Sequence, residues 1–146
     1  MRRNHQDGRS LDNNKSEAER WLAQAEVDLK NAGWNAEGKF WAEVCFKSQQ
    51  VGEKALKAFL VSKGLRRILS HSLLELKERC AEYDGDFAGI DRECRRLDKY
   101  YIIARYPDGL PGLIPAAYFD EEEAGEAIAQ AKKILGLVRQ KLGMGL

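Results

Sequence analysis

Residues 40–63 read FWAEVCFKSQQVGEKALKAFLVSK, followed by Gly64. The segment contains no proline. Its apolar residues Trp41, Val44, Cys45, Val51, Ala55, Leu56, Phe59 and Leu60 recur at helical spacing. That stripe is broader than one partner helix requires, so the segment is expected to touch two or three neighbours. Glu43, Lys47, Gln50, Lys54 and Lys57 form the opposite side, again three to four residues apart. Gly64 is suited to end the helix in a left-handed conformation. A long helix that is apolar on several sides is the natural centre of a helical bundle, and an all-α fold follows from it.

The flanking segments continue the pattern. Ala18, Leu22, Ala25, Leu29 and Ala32 form one face of a helix expected over 16–32, with Gly33 as its stop and 35–38 as a loop. Residues 1–14 are polar and aperiodic and are expected to be a disordered tail. Ser72-x-x-Glu75 is a capping box that opens a third helix, with Leu73, Leu76, Cys80 and Tyr83 inward. Asp84-Gly85-Asp86 reads as a turn. A fourth helix is expected over 87–105, with Ile90, Cys94, Leu97, Tyr101 and Ala104 inward, and Pro107 ends it. All three prolines, Pro107, Pro111 and Pro115, fall in one irregular stretch, the kind of long loop that often carries function. Asp120-x-x-Glu123 is a second capping box, and the acids at 120–123 suit the positive end of a helix dipole. Ala124, Ile128, Ala131, Leu135, Val138 and Leu142 form the stripe of that last helix. No segment alternates as a strand does. The expected architecture is an up-and-down antiparallel bundle of about five helices, one domain over 15–146, with a single proline-rich crossover.

The 146 residues are 44% hydrophobic and 32% charged, which excludes collagen-like and wholly disordered chains. No apolar run approaches the roughly 20 residues of a membrane helix, so no membrane role is expected. Cys45, Cys80 and Cys94 are an odd set without paired spacing, a poor disulfide framework, and each lies in an apolar helical pattern. The N-terminal stretch has no apolar signal core. These features suggest a reducing, cytoplasmic location.

Twenty-four basic residues against 23 acids leave a formal charge of +1, so any electrostatic signal lies in distribution. Between Lys39 and His71 there are seven basic residues and two acids, and Arg92, Arg95, Arg96 and Lys99 form a second cluster. A basic face on a neutral chain suits a polyanion such as RNA or a nucleotide, although long helices also carry solvated lysines for no such reason. His71, the one histidine outside the N-terminal tail, immediately precedes a capping box. The dipole of the following helix, together with Arg66 and Arg67, favours a neutral imidazole suited to a general base. Arg66 and His71 make an Arg-x4-His pattern in which a guanidinium holds a phosphate while the imidazole moves protons, enough for metal-independent cleavage by an RNA 2′-hydroxyl. The competing reading makes His71 a helix flank bonded to backbone. Arg105 has a similar alternative as a helix C-cap, Tyr106 as packing beneath the proline loop, Asp108 as a turn starter, and Asp28 with Lys54 as a structural ion pair. No Cys-x-x-Cys, His-Glu-x-x-His, Walker or dinucleotide motif occurs, and no cofactor or metal is expected.

Four blocks carry a resemblance to the HEPN domains. They are Trp21-Leu22-x-x-Ala25-x-x-Asp28-Leu29-x-x-Ala32, Phe46-x-Ser48-Gln49-Gln50-Val51-x-Glu53-Lys54-Ala55-Leu56-Lys57-Ala58, His71-Ser72-Leu73-x-x-Leu76, and Leu97-x-x-Tyr100-x-x-x-x-Arg105-Tyr106-Pro107-Asp108. The last block and its proline-rich sequel are also similar to the HEPN domain at the C-terminus of sacsin. The resemblance implies an antiparallel helical bundle, commonly a homodimer. In prokaryotes such domains often pair with a nucleotidyltransferase antitoxin, and several branches are metal-independent ribonucleases. In the branch with His-Ser-Leu and Arg-Tyr-Pro blocks, His and Arg come from separate helices, so Arg105 stands beside Arg66 as a partner for His71. The implied function is a nucleotide- or RNA-binding domain, with ribonuclease activity in a toxin–antitoxin pair as its catalytic form. His71 with Arg66 or Arg105 would carry catalysis, and Lys54, Lys57, Gln50, Tyr101, Tyr106 and Asp108 would line the ligand site. The alternative is a non-catalytic dimeric module that binds a nucleotidyltransferase or another protein.

Overall fold

In the computed structural model, which describes residues 3–106, 110 and 112–144 (3–10 and 103 by backbone only), the stripe in 40–63 becomes helix α2, Trp41–Ser62. It is the central element. Val44, Cys45, Val51, Ala55, Leu56, Ala58, Phe59 and Leu60 are all buried, and neighbouring helices cover α2 on several sides. Gly64 takes a φ of 97° and ends it as the sequence suggested.

Helix α1, Arg3–Glu37, lies antiparallel against α2 and buries Ala18, Leu22, Ala25 and Ala32. It differs from expectation at both ends. The helical backbone reaches back to Arg3 through the stretch expected to be a tail, because the segment holds no proline to interrupt it. At the other end the helix passes through Gly33, which needs no special backbone angle there. It stops at Gly38–Lys39, where Lys39 adopts a φ of 64° and Phe40 N–H closes onto the Asn35 carbonyl.

Helix α3, Leu73–Ala81, buries Leu73, Leu76 and Cys80 against α2, whereas Tyr83 beyond its end is half-exposed. The close approach depends on Gly52. A Cβ there would meet Leu73 Cδ2 at 2.6 Å and Ile134 Cδ1 at 3.3 Å. The fourth expected helix is broken into three pieces: a 3-10 helix over Gly85–Ile90, α4 over Asp91–Asp98 and α5 over Tyr100–Ile103. The break follows Asp98, whose carboxylate is committed to the start of α3. As a result Tyr100, not Tyr101, takes the core position, and Tyr101 is left partly exposed.

A short α6, Pro115–Tyr118, leads to α7, Glu121–Lys141. The Asp120 side chain accepts from Glu123 N–H at 2.9 Å, and Ala124, Ala127, Ala131, Ile134, Leu135 and Val138 are buried. α7 runs beside α2, and α4 and α5 return antiparallel to it, through the Glu93–Lys133 contact from α4 and the Tyr100–Glu123 contact from α5. The result is an all-α bundle with no strand among the described residues.

Candidate functional site

The site grows from one row of polar side chains on α2. Gln49, Glu53 and Lys57 follow one another at four-residue spacing, and all are buried. Such groups inside an apolar interface must satisfy one another. Lys57 Nζ lies 2.9 Å from Glu53 Oε2, and both residues are only 4% exposed. Gln50 Nε2 donates to Gln49 Oε1 at 2.8 Å and to Glu53 Oε1 at 3.4 Å. Gln49 Nε2 in turn donates to the backbone carbonyl of His71 at 3.0 Å. Glu53 Oε2 also meets His71 Nδ1 at 3.0 Å. Helix α2 therefore holds His71 by its backbone and by its ring.

The other side of His71 is fixed by the start of α3. The Ser72 hydroxyl accepts from Glu75 N–H at 3.2 Å, but the reciprocal half of the expected capping box is relayed by Ser70, whose hydroxyl accepts from Ser72 N–H at 3.1 Å and donates to Glu75 Oε1 at 2.5 Å. Asp98 of α4 adds a second cap. It accepts from Leu73 N–H at 2.6 Å, and from Leu74 N–H and the Ser72 hydroxyl at 3.1 Å each. A carboxylate at these orphan amides suits the helix dipole and ties the His71 loop to α4. A Nδ1–H donated to Glu53 leaves Nε2 as the acceptor nitrogen. The His71 side chain is 53% exposed.

The His71 ring stacks on Tyr101, with centroids 4.7 Å apart and planes 16° from parallel. The Arg105 guanidinium sits on the same tyrosine at 4.7 Å, and also on Phe46 at 4.6 Å and Tyr106 at 4.8 Å. Its Nε donates to the Tyr101 carbonyl at 3.0 Å. No carboxylate among the described residues pairs with it, and its terminal nitrogens have no hydrogen-bond partner there. A stacked, pre-oriented guanidinium without a carboxylate partner has donors left over for an anion.

Of the candidate residues, the structure thus brings His71, Tyr101, Arg105 and Tyr106 together, with Gln50 and Lys57 behind them. Arg66 goes elsewhere. Its guanidinium donates to the carbonyls of Val61 and Leu65 at 3.3 and 2.9 Å, and to Asn14 Oδ1 at 3.0 Å. It braces the end of α2 against α1, because Arg67, with a φ of 57°, redirects the chain before His71. Lys54 pairs with Asp28 at 2.5 Å between α1 and α2, and Gln24 bonds the same carboxylate. Lys57 is spent on Glu53. Asp108 lies outside the described residues. The sequence reading passed over Glu53, Gln49 and Asp98 as site residues. Gln49 and Glu53 carried a usable signal, since polar residues interrupt an apolar stripe at four-residue spacing. Asp98 carried none, because its partners lie 24 to 26 positions away.

A family model described as the HEPN domain matches residues 18–141. The chain is 37% identical to TT1696 from Thermus thermophilus, with a TM-score of 0.80, covering 85% of this chain and 97% of that one. It is 34% identical to ST0689, an archaeal HEPN homologue, with a TM-score of 0.71 and coverage of 86% and 97%. Among curated proteins it is 24% identical over 134 residues to MJ1304 of Methanocaldococcus jannaschii, a candidate toxin, spanning 86% of this chain and 88% of that protein.

Proposed function

The chain belongs to the HEPN domain family, and on that premise we propose that it is the RNA-binding toxin of a HEPN–nucleotidyltransferase pair, a homodimer acting in the cytoplasm as a metal-independent ribonuclease. The observation that carries the reading is the assembly of His71 and Arg105 on the Tyr101 ring, the first half-exposed and the second with terminal nitrogens unpaired among the described residues. His71 Nε2 takes the proton of an RNA 2′-hydroxyl. The resulting alkoxide attacks the adjacent phosphorus, and Arg105 stabilises the charge that develops on the phosphoryl oxygens. The 5′-oxygen leaves with a proton from water, giving a 2′,3′-cyclic phosphate, and the His71 imidazolium then returns its proton to solvent. Glu53 orients the imidazole and supports the cation formed during proton transfer. Tyr106, half-exposed, offers a face on which a base stacks, whereas the Tyr101 ring is taken up by His71 and Arg105. The likeness to a candidate toxin supports the biological setting.

The test is cleavage of end-labelled RNA in EDTA by wild type, His71→Ala and Arg105→Ala. Cleavage by wild type and loss of at least about a hundredfold in each variant is expected. Intact RNA with all three proteins over a wide concentration range overturns the catalytic reading. Phosphate contact also requires that RNA binding weaken as salt rises. The second reading, a non-catalytic module that binds a nucleotidyltransferase or another protein, is favoured by two apolar side chains exposed on α1, Val27 and Trp34 (75% exposed). Salt-insensitive binding to a protein partner, without affinity for RNA, would support that reading.

A further inference from the structure

Lys57 is a buried cation to which the proposed reaction gives no part. Its ammonium meets the same carboxylate oxygen, Glu53 Oε2, that meets His71 Nδ1, at 2.9 and 3.0 Å. We infer that Lys57 is a positioning residue for His71: by neutralising Glu53 it keeps the imidazole uncharged and able to accept a proton at Nε2. The inference rests on the reading of His71 as a general base and names the group that sets its charge.

Burial gives this contact its strength. The Lys57 and Glu53 side chains are both buried, and the Trp21 ring of α1 lies 5.8 Å from the ammonium. Charges held away from water are screened little, so each acts on the other and on the imidazole between Glu53 and solvent. With Glu53 alone, a buried carboxylate 3.0 Å from Nδ1 would favour the protonated ring. A ring already protonated cannot take the proton of a 2′-hydroxyl. With Lys57 present, carboxylate and ammonium sum to zero before the proton arrives. Glu53 still accepts from Nδ1–H and fixes the ring, but it no longer draws a second proton onto Nε2. The other charges around His71 do not duplicate this. Asp98 of α4 is engaged by the amides of Leu73 and Leu74 and the Ser72 hydroxyl, and Glu75 of α3 by Ser70. Lys54 of α2 pairs with Asp28, and Arg66 turns to Asn14. Arg67 lies four residues earlier in the loop, and Arg105 of α5 stands on the far side of its contact with Tyr101. These two cations act in the same direction as Lys57, but Lys57 shares an atom with the His71 contact.

Titration of the His71 ring by proton NMR tests this on the purified full chain without RNA, with His5, the other histidine, as the internal reference. Lys57→Met should raise the His71 midpoint by about one pH unit, and Glu53→Gln should lower it. Glu53→Gln/Lys57→Met removes both charges and should bring the midpoint back close to wild type. In the cleavage assay, the acid limb of the pH–rate profile of Lys57→Met should move to higher pH by the same amount, with the plateau above it within about threefold of wild type. A merely structural lysine would lower the rate at every pH and leave the midpoint in place. An unchanged His71 midpoint in Lys57→Met overturns the inference. If that variant does not fold, the double variant decides, because a midpoint equal to that of Glu53→Gln overturns it as well. The expected midpoints in a protein that leaves RNA intact would uphold the control of His71 by Lys57 and overturn the ribonuclease reading alone.

Discussion

Glu53 binds two groups with one oxygen: the Lys57 ammonium at 2.9 Å and His71 Nδ1 at 3.0 Å. Glu53 and Lys57 are buried, so each is costly without the other. Glu53→Gln keeps the shape but removes the charge, leaving a buried ammonium uncompensated. It should cost about 3 kcal/mol in chemical denaturation, and Glu53→Gln/Lys57→Met should recover most of that. Wild-type stability in the single variant would contradict the pairing. The same substitution should lower RNA cleavage even where the protein stays folded, because the imidazole loses its orienting partner. Arg105 shows the opposite arrangement. Aromatic rings hold it in place without neutralising it, which is how a folded chain keeps a cation available to a ligand.

At the scale of the element, two glycines in helices have opposite roles. Gly52 of α2 lets Leu73 approach, and Gly52→Ala should destabilise the protein by about 1–3 kcal/mol because Leu73 and Ile134 have to move. Gly136 of α7 faces open space, and Gly136→Ala should raise stability by about 0.5–1 kcal/mol through helix propensity alone. Thermal melts of the two variants should therefore shift in opposite directions. Helix α4 turns its acids towards its neighbours and its arginines outward. Asp91 meets Lys77 and Arg95, and Glu93 meets Lys133. The hydrogen bond from Lys77, then that from Arg95, holds the Asp91 carboxyl below the usual aspartate range. Its contribution is complete above the ordinary value of about 3.8 and is lost as pH falls through the lower folded value. Asp91→Asn should consequently be less stable than wild type at neutral pH, and the gap should close in acid. A gap in melting temperature that stays constant through the acid range would refute the assignment.

At the scale of the whole molecule, the three cysteines report on the integrity of the core. Burial pushes the Cys45 and Cys94 thiols up to about 12 and raises Cys80 as well. None is a nucleophile at neutral pH. A thiol reagent should label none of them in the native protein, and labelling should follow global unfolding with a single midpoint. Fast labelling of one cysteine without denaturant would show that part of the bundle opens separately.

Much of this architecture was legible in the sequence because it rests on local rules. The central helix follows from apolar spacing within 40–63. The α3 and α7 starts follow from Ser72-x-x-Glu75 and Asp120-x-x-Glu123, where cap and amide are three residues apart. The HEPN resemblance of the ordered blocks holds for the same reason, since it rests on the order and spacing of residues along the chain. The site was only half legible. Arg66 and Arg105 were equal candidates for His71, and nothing local in the sequence separated them. Packing sets where each of them goes. Arg67 turns the chain, Arg66 is drawn to Asn14 and the end of α2, and the break after Asp98 swings Tyr101 and Arg105 towards His71. What the sequence determined by itself was the set of helices and most of their inward faces, because helix periodicity and capping act over a few residues. Only the tertiary structure decided which charges stay unpaired, because a side chain's partner is set by which helices meet: Glu53 lies 18 positions from His71, and Asn14 lies 52 from Arg66.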